Sequence, residues 1–512
     1  MYTIDFNNPV HAHFIGIGGI SMSGFAELLH SMGFTVTGSD RAKSTITEHL
    51  ETLGIHPAYE QVAANITDDI DVVIYTAAIH PDNPEYAECV RRGLPMLERA
   101  ELVGQVMKNY STAVAVAGTH GKTTTTSIAS HLFLAAGLDP TISVGGILPA
   151  INGNIRIGHS KNFITEACEY TNSFLKFSPT IGIILNIEED HMDFFHDIGE
   201  IRSSFRRFAE LLPEDGTLII NADIDNVTEL TDGLKCRVLT YSINSTADGS
   251  IDSTNDGHIE NTAGAQSDCI VNYAAEDIKF DDNGYPTFNA IVRNLPGKQF
   301  TANSEKALGA GQDSSGASID GSSVRRGPYA LHVPGIHNVG NTLAAIALAD
   351  TLGIDDSAIK TALNDFHGTE RRFEYKGQVN GFTIIDDYAH HPTEIRATLS
   401  AAANYPHREL WVIFQPHTYS RTKAFLQDFA DALSMADHVL LTDIYAAREP
   451  DPGDISSRDI AALIEEKHKD VIYFGSFDEA EKFIQKNLVA DDLLITMGAG
   501  NIVDIGEDLL KD

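Results

Sequence analysis

The stretch from Ala113 to Thr126, AVAVAGTHGKTTTT, constrains this chain more than any other. Its first five residues are small and apolar, as in a buried strand, and the residues after Lys122 have the spacing of a buried helix. A strand that turns through glycines into a helix presents backbone N–H groups and a positive helix dipole to an anion. The pattern predicts a phosphate-binding loop for ATP or GTP, with Lys122 on the β/γ-phosphates and Thr123 on a magnesium ion.

The spacing of this loop is unusual. The common phosphate loop, G-x-x-x-x-G-K-[ST], has its first glycine where this chain has Val116. A Gly-Lys-Thr tripeptide also occurs in ordinary turns, so the flanking strand and helix are what favour a nucleotide site. The residues expected to bind the nucleotide are Gly118, Thr119, His120, Gly121, Lys122, Thr123 and Thr124.

Length and composition limit the class of protein. A chain of 512 residues is expected to form about three domains. With 72 acidic and 36 basic residues the net charge is −36, which disfavours nucleic acid and membrane surfaces as partners but allows a small phosphorylated ligand. The four cysteines lie far apart without C-x-x-C spacing, which fits a reducing compartment. Without a signal-peptide pattern or an apolar run of ~20 residues, the chain is expected to be cytoplasmic.

The predicted first domain, residues 1–108, opens with a second strand, glycine-rich turn and helix. An acidic residue ends the next strand about 20 positions later, which indicates a Rossmann-like nucleotide site. The third glycine of G-x-G-x-x-G is missing, which leaves open both NAD and another diphosphate such as a UDP-sugar. The candidate substrate-binding residues are Gly16, Gly18, Gly19, Ser39 and Asp40.

The predicted middle domain, residues 109–370, contains two further strands that end in polar side chains. One ends in Glu166 and Glu169, and the other is followed by a segment with His191. Parallel strands end at one edge of a sheet, so these groups should lie beside the phosphate loop. Magnesium prefers oxygen ligands, which makes Glu166 the natural partner of Thr123, with His191 at a second metal or the γ-phosphate. Each residue alone could equally be a solvated acid or a hydrogen-bonded histidine.

Two other parts of the middle domain are distinctive. Asn338 and Asn341 share one face at the start of a helix, where they could bind an adenine edge or, for Asn338, cap the helix. Residues 244–327 change in composition, and 11 of the 25 residues from 303 to 327 are Gly or Ser. We predict surface insertions there, the second disordered, with a more strand-like stretch at 269–301.

Strands and helices alternate in the predicted last domain, residues 371–512, which indicates a doubly wound parallel sheet. Polar clusters follow its strands and should share one crevice, and Arg371 and Arg372 at the junction offer cations to a phosphate. The predicted strands are 382–386, 409–414, 438–442, 471–474 and 493–497. The predicted helices lie near 393–404, 422–435, 456–467, 477–488 and 501–510.

Taken together, these motifs closely resemble those of the Mur ligase family, in the family's order over nearly the whole chain. The short phosphate loop is the form that this family uses, whereas the insertions at 244–327 are longer than the family generally carries. The matching segments are GIGGISMS from Gly16, GTHGKTT from Gly118, EACE from Glu166, NIEEDHMD from Asn186, HNVGN from His337, RRF from Arg371, DDYAHHP from Asp386, QPHTYSR from Gln415 and GAGN from Gly498.

The resemblance implies three α/β domains: a Rossmann-like UDP-sugar domain, a P-loop ATPase-like central domain and a doubly wound Rossmann-like C-terminal domain for the amino acid. It implies ATP-dependent joining of L-alanine to the lactyl carboxylate of UDP-N-acetylmuramate through an acyl phosphate, in bacterial cell-wall precursor synthesis. ATP and Mg²⁺ are the implied cofactors, UDP-N-acetylmuramate and L-alanine the partners, and a monomer or weak homodimer the assembly. The C-terminal domain is expected to close over ATP before the chemistry.

Residue roles also follow from the resemblance. Asn338 and Asn341 would hold the adenine or support catalysis. The implied catalytic residues are Lys122, Glu166, His191, Arg372 and Asp387. The implied metal ligands are Thr123, Glu166 and His191. The residues implied to face the amino-acid substrate are His390, His417 and Arg421.

Three alternatives stay open at this point. A murein-peptide recycling ligase shares the UDP-muramate domain but joins a tripeptide. Other Mur ligases and folylpolyglutamate synthetase share the ATP motifs, but not this glycine-rich opening as a set. A non-ligase P-loop switch or transport ATPase would leave the polar clusters of the last domain without a role.

Overall fold

The structure is a computed structural model that describes residues 2–76, 78–245, 270–293, 323–447, 449–467 and 469–511. Three separate sheets lie within the three predicted domain ranges, and helices cover them. The predicted three-domain α/β fold is therefore confirmed. No helix in the described ranges combines the length and apolar character needed to cross a bilayer.

The first sheet has four parallel strands in the order β2-β1-β3-β4. The strand order changes direction between β1 and β3, so a ligand crevice lies above the turn that follows β1. The strands are β1 (His11–Ile15), β2 (Thr35–Ser39), β3 (Val72–Tyr75) and β4 (Met96–Glu98). The helices are α1 (Ile20–Ser31), α2 (Thr45–Thr52), α3 (Pro84–Arg92) and α4 (Arg99–Met107), with a 3₁₀ turn at Ala63–Asn65.

The central sheet has ten strands in the order β14-β13-β12-β11-β10-β9-β5-β8-β6-β7. Strands from β12 to β6 in this order run parallel, and antiparallel strands complete both ends. The strands are β5 (Thr112–Ala117), β6 (Thr141–Leu148), β7 (Gly153–Arg156), β8 (Asn162–Ala167), β9 (Ile181–Ile184), β10 (Thr217–Asn221), β11 (Arg237–Ser242), β12 (Tyr273–Phe280), β13 (Pro286–Arg293) and β14 (Ser323–Ala330).

Helices cover both faces of this sheet. The helix α8 (His337–Leu352) is buried along most of its length and packs in the core against α5 (Lys122–Ala135). The helices are α5 (Lys122–Ala135), α6 (Ile198–Ala209), α7 (Val227–Thr231), α8 (His337–Leu352) and α9 (Asp356–Asp365), with 3₁₀ turns at Pro149–Ile151 and Tyr170–Lys176.

The strand-like stretch predicted at 269–301 is confirmed by β12 and β13, but the prediction that the region 244–327 is a surface insertion is wrong for the part that the structure describes. Tyr273 on β12, Phe288 on β13 and Val324 on β14 are buried in or beside the core of the central domain. Only alternate residues of an antiparallel strand face the core, so averaging composition over a long window hides the signal. The residues 246–269 and 294–322, which carry the most polar and glycine-rich sequence, lie outside the described ranges.

The C-terminal sheet has the order β15-β16-β20-β17-β18-β19. Its strands are parallel except β15, an antiparallel edge strand that the sequence reasoning missed. The strands are β15 (Glu374–Val379), β16 (Phe382–Asp387), β17 (Leu410–Phe414), β18 (His438–Leu441), β19 (Asp470–Tyr473) and β20 (Leu493–Met497). The helices are α10 (Pro392–Ala402), α11 (Tyr419–Ala424), α12 (Leu426–Leu433), α13 (Ser457–Glu466), α14 (Phe477–Asn487) and α15 (Val503–Leu509).

The predicted helix at 422–435 is in fact two helices. The break falls at Phe425, which has φ −113° and ψ 27° and serves both as the end of α11 and as the start of α12. α11 begins three residues before the predicted start and carries Arg421 towards the central domain.

Candidate active site

Three strand ends meet at the candidate site. β5 pairs in parallel with β8 on one side and with β9 on the other, and Ala117 is in register with both Ala167 and Ile184. The glycine-rich loop at 118–121 and the segments that follow Glu166 and Ile184 therefore leave the sheet at the same edge. This edge is where open α/β sheets bind ligands.

The glycine-rich loop needs its glycines at two positions. Gly118 has φ +150° and Gly121 has φ +82°, both outside the usual range of other residues. A Cβ atom on Gly121 would lie 2.9 Å from Oδ1 of Asn341, and one on Gly118 would lie 2.9 Å from Cβ of Leu185. Among the described residues no side chain caps α5, which leaves its N-terminal N–H groups for an anion.

Lys122 is held at the first turn of α5. Its Nζ atom donates to the carbonyl oxygens of Gly118 at 2.5 Å and Thr119 at 2.9 Å, and lies 3.1 Å from Oε2 of Glu169. Burial opposes the charge, but the nearby carboxylate of Glu169 outweighs it and raises the pKa of Lys122. Lys122 is therefore a cation at neutral pH, and Glu169, to which sequence reasoning gave no role, is its ionic partner.

Glu166 lies near the end of β8, the strand that precedes Glu169. Its Oε1 atom accepts a hydrogen bond of 2.5 Å from the N–H of Gly145, and its charge acts on Lys122. Thr123 is buried. Its methyl group would lie 3.3 Å from a Cβ atom placed on Gly146, so Thr123 lies beside this glycine. Glu166 and Thr123, the two predicted oxygen ligands of magnesium, therefore lie next to the neighbouring glycines Gly145 and Gly146.

His191 completes this group from the β9 side. Its Nε2 atom lies 3.9 Å from Oε1 of Glu169 and 3.7 Å from Oδ2 of Asp190, and its ring stacks on Tyr170 at 4.5 Å. Burial lowers the pKa of His191 although Asp190 and Glu169 oppose it, so the imidazole is neutral at pH 7. Glu169 thus contacts both Lys122 and His191, and the charge of Glu166 acts on Lys122, so the four side chains form one cluster at this edge of the sheet.

A second cluster, His120, Glu188 and His391, has the spacing of a metal site, but its side chains fit magnesium less well than the predicted ligands do. Its ligand atoms lie within 4.8 Å of one another. His391 uses both ring nitrogens, because Nδ1 accepts from the N–H of Thr393 and Nε2 faces the carbonyl of Glu189. The predicted ligands Thr123, Glu166 and His191 instead offer two oxygens and a neutral nitrogen, a set that fits magnesium better.

His120 forms ion pairs with carboxylates of both the central and the C-terminal domain. Its Nδ1 atom lies 3.2 Å from Oε1 of Glu394 and its Nε2 atom 3.5 Å from Oε2 of Glu188. Burial opposes the charge, but these two carboxylates raise the pKa of His120 to about 10. The imidazolium therefore bridges acids from both domains, and Thr393 adds a hydrogen bond of 2.6 Å to Glu188.

Arg372 and Asp387 of the C-terminal domain face the phosphate loop across this junction. Arg372 lies over the ring of Tyr388 at 5.3 Å, with Nη1 3.7 Å from Glu394. Asp387 accepts N–H groups of Phe373 and Ala389, each at 2.8 Å, and burial raises its pKa to about 6. Arg372 and Asp387 line one cleft together with His120, Gly121, Thr124, Asn338 and Asn341.

The two asparagines are buried at the start of α8. Asn338 donates to the carbonyl of Pro334 at 2.7 Å and Asn341 donates to Oδ1 of Asn338 at 3.0 Å. The N-cap of α8 is Ile336, so Asn338 is not the helix cap. Asn341 keeps its oxygen against Gly121 and thus supports the phosphate loop.

The predicted amino-acid side lies next to Asp190. Arg421 donates to Oδ1 of Asp190 at 2.9 Å and faces Nδ1 of His417 at 3.1 Å. The His390 ring lies 5.7 Å from that of His417. Burial lowers the pKa of His390 to about 3 and that of His417 to about 4, so both rings are neutral. Sequence reasoning missed Asp190, as it missed Glu188 and Glu394, because their partners come from the other domain.

In the first domain, the side chains of the predicted substrate-binding residues Asp40 and Ser39 have different surroundings. Asp40 accepts the N–H of Gly18 at 2.8 Å and therefore lies against the glycine-rich turn. Ser39 points inward and donates to Glu85 at 2.5 Å, and both side chains are buried. The prediction that the Ser39 side chain contacts substrate is corrected, because successive residues of a strand face opposite sides of the sheet.

Comparisons with known proteins cover almost the whole chain. Three sequence models match: "Mur ligase family, catalytic domain" at 11–111, "Mur ligase middle domain" at 116–291 and "Mur ligase, glutamate ligase domain" at 371–500. The UDP-N-acetylmuramate–L-alanine ligases of Agathobacter rectalis and Lachnospira eligens are 54% and 52% identical, and each alignment covers 100% of both chains. The crystal structure of the UDP-N-acetylmuramate–alanine ligase of Thermotoga maritima is similar with a TM-score of 0.73 and 28% identity, over 98% of each chain.

Proposed function

The chain belongs to the Mur ligase family, and we propose that it joins L-alanine to the lactyl carboxylate of UDP-N-acetylmuramate with ATP as phosphoryl donor, in peptidoglycan precursor synthesis. One observation carries the proposal: the phosphate-loop residues His120, Gly121 and Thr124 line one cleft with Arg372 and Asp387 of the C-terminal domain. Relatives with that name align over their full length at more than half identity, which supports the choice of substrates.

The first step moves the γ-phosphoryl group of ATP to the lactyl carboxylate. A carboxylate is a poor electrophile, so it must first be activated as an acyl phosphate. Two anions approach each other in this step, and catalysis rests on positioning and charge stabilisation. Lys122 and the free N–H groups at the start of α5 supply positive charge at the phosphates, and Arg372 supplies it from the opposite wall.

Magnesium fits the edge of the central sheet. We assign Thr123 and Glu166 to one ion and His191 to a second, because these residues surround Lys122 and His191 is neutral. The ions would screen the negative charge of the phosphates when bound. Asn341 would hold the loop in place, and Asn338 and the apolar wall at Val333 and Pro334 would receive the adenine.

The second step is attack by the amine of alanine. His390 places Nδ1 at 2.9 Å from the carbonyl of Tyr388, so the proton is on Nδ1 and Nε2 can accept a hydrogen bond from the ammonium group. Nδ1 of His417 faces a donor of Arg421, so its Nε2 carries the proton and can donate to the carboxylate of alanine. The ammonium group first gives one proton to water, and the resulting amine attacks the acyl carbon. The tetrahedral intermediate then breaks its C–O bond to phosphate and releases a second proton to water, which leaves the amide.

The contacts between domains protect the intermediate. Acyl phosphates hydrolyse in water, and bonds from Arg421, Thr393 and His391 to the central domain close this side of the cleft. We assign residues 1–108 to the UDP-sugar, 109–370 to ATP and 371–512 to alanine. We further propose a cytoplasmic monomer or weak homodimer, consistent with an ATP-dependent reaction and with free thiols at Cys89, Cys168 and Cys236.

A phosphate-release assay tests the function. With ATP and magnesium present, we expect release only when UDP-N-acetylmuramate and an amino acid are both added. L-alanine should exceed glycine by roughly 10- to 200-fold in kcat/KM, the range that one methyl group gives. Preference for the tripeptide L-alanyl-γ-D-glutamyl-meso-diaminopimelate would indicate a recycling ligase instead. Release without the sugar or the amino acid would indicate a switch ATPase.

A further inference from the structure

Glu394 lies where the C-terminal domain meets the phosphate loop. It is the third residue of α10, and its side chain is only 13% exposed. In the first turn of a helix, the positive end of the helix dipole stabilises an anion. Glu394 lines the same cleft as Gly121 and Arg372. It is therefore an acid within the cleft, distinct from the residues assigned above to phosphate, metal or alanine.

The two oxygen atoms of Glu394 hold two different histidines. Oε1 lies 3.2 Å from Nδ1 of His120 in the phosphate loop. Oε2 accepts the backbone N–H of His390 at 3.1 Å and lies 3.3 Å from Nδ1 of the same residue. One carboxylate therefore joins the phosphate loop of the central domain to the histidine assigned to the amine of alanine.

The contacts of Oε2 fix both the backbone and the ring of His390. Nδ1 of His390 also lies 2.9 Å from the carbonyl oxygen of Tyr388, so both neighbours of this nitrogen are acceptors and hold the proton on Nδ1. This tautomer leaves a lone pair on Nε2, which an ammonium group needs as an acceptor. Glu394 thus helps to set both the direction and the tautomer of the ring that receives the amine.

An amide cannot replace the carboxylate of Glu394, because both histidines are donors. Glutamine offers one oxygen and one NH₂ group, so one of the two histidines would face a second donor. The raised pKa of His120 keeps it a cation, and a cation competes better for the remaining oxygen. Glu394→Gln would therefore place NH₂ against the N–H groups of His390, while the phosphate loop keeps its acceptor.

We propose that Glu394 is a positioning residue that aligns the amine-binding ring of His390 with the phosphate loop at His120. This inference rests on the proposed function. Because Glu394 acts through His390, its removal should affect alanine more than ATP. Its contact with Nη1 of Arg372, at 3.7 Å, is too long for a hydrogen bond and contributes less on the ATP side.

A double-mutant cycle, measured by phosphate release with UDP-N-acetylmuramate, ATP and L-alanine, tests the role of Glu394. For Glu394→Gln we expect kcat/KM for L-alanine to fall about tenfold and the KM for ATP to change less than about threefold. In a His390→Gln background the same change should cost less than about twofold, because the residue through which Glu394 acts is gone. A role in capping α10 alone would lower the stability to urea without this coupling in the kinetics.

Thr393→Val and Arg396→Gln are matched controls on α10. Thr393 donates to Glu188 at 2.6 Å, so its loss weakens the contact between the domains without removing a contact to His390. Its effect should be the same with and without the His390 side chain. Arg396 is exposed, and its loss should leave the kinetics unchanged. If Glu394→Gln does not fold, Glu394→Asp takes its place in the cycle, because its shorter side chain cannot span both histidines.

Two results would overturn the proposal while the overall reaction stands. An equal loss from Glu394→Gln in the wild-type and His390→Gln backgrounds would show that Glu394 does not act through His390. A rise in the KM for ATP as large as the loss for alanine would make Glu394 a general contact between the domains. A wild-type protein that does not use L-alanine would instead count against the proposed function itself.

Discussion

Arg421 of the C-terminal domain donates a hydrogen bond of 2.9 Å to Oδ1 of Asp190 in the central domain, across a separation of 231 residues in the chain. Burial opposes ionisation, but Arg421 outweighs it and holds the pKa of Asp190 far below its usual range. A group whose pKa is lowered on folding stabilises the protein above its unfolded value of about 4. The pair therefore stays ionised throughout the neutral range.

Asp190→Asn should weaken both closure and alanine binding. The change leaves Arg421 partly buried without its counter-charge, next to His417. We expect kcat/KM for L-alanine to fall at least about tenfold, while the KM for ATP changes less. Steady-state kinetics check this, with Glu210→Gln, which removes an exposed partner of Arg206, as the control. An unchanged KM for alanine would contradict the role of the pair.

His120 gives a pH-dependent contribution to stability. Its pKa is raised from the usual 6.5 to about 10 in the folded protein. Its contribution is therefore complete below about pH 6.5 and disappears as the pH rises through about 10. The stability difference between wild type and His120→Gln should shrink by up to about 4 kcal/mol from pH 6.5 to pH 10, as measured by urea unfolding. A difference that does not depend on pH would show that His120 is neutral.

Lys122 and Glu169 should differ in their effects on catalysis. Lys122→Gln removes the charge at the phosphates, and we expect kcat to fall by about 100-fold or more. Glu169→Gln leaves that charge but removes the carboxylate that positions it at 3.1 Å, so a loss of roughly tenfold is expected. Kinetics with saturating substrates measure both, and the exposed Lys161→Gln is the control. Equal activity of wild type and Lys122→Gln would exclude Lys122 from the reaction.

Gly121→Ala should weaken ATP binding specifically. The new Cβ would meet Oδ1 of Asn341 at 2.9 Å, which forces the loop and α8 apart. Gly137 is a matched control, because its φ of +67° is also left-handed but nothing lies within 4 Å of a Cβ there. Both variants should lose about 1 kcal/mol of stability from backbone strain, but only Gly121→Ala should raise the KM for ATP. Equal effects of the two variants on ATP would contradict the close contact with Asn341.

Arg326 provides a test of the central core, away from the site. It binds Asp350 with Nη1 at 2.6 Å and Asp356 with Nη2 at 3.0 Å, and all three side chains are buried. Arg326→Met would leave buried Asp350 without its cation and Asp356 with only the more exposed Lys360, so we expect a loss of about 3–5 kcal/mol in urea unfolding. Its neighbour Arg325 pairs with the exposed Asp277, and Arg325→Gln should cost less than about 1 kcal/mol.

Sequence reasoning grouped Lys122, Glu166 and His191 because parallel strands end at one edge of a sheet. Once β5, β8 and β9 were recognised, Lys122, Glu166 and His191 had to lie near one another, whatever the details of packing. The same argument grouped His390 and His417 on the C-terminal sheet. These predictions depend only on strand direction, which the patterns of apolar residues and turns indicate.

What sequence reasoning missed depends on contacts between distant elements. Asp190 and Glu394 became notable only through partners in the other domain, Arg421 and His120. The inward orientation of Ser39 depends on which face of β2 meets Glu85, and the sequence around Glu85 gives no sign of a buried acid. Such pairings are set by tertiary packing, and a single sequence carries little information about them.

The transfer of ¹⁸O tests the central claim most directly. UDP-N-acetylmuramate labelled with ¹⁸O in its lactyl carboxylate would be incubated with ATP, magnesium, L-alanine and the protein, and the released phosphate analysed by mass spectrometry. If the carboxylate attacks the γ-phosphorus atom, the account predicts one ¹⁸O atom in each phosphate released. Phosphate without ¹⁸O, formed together with the amide product, would contradict an acyl phosphate and with it the arrangement of Lys122, Glu166 and His191 around the transferred group.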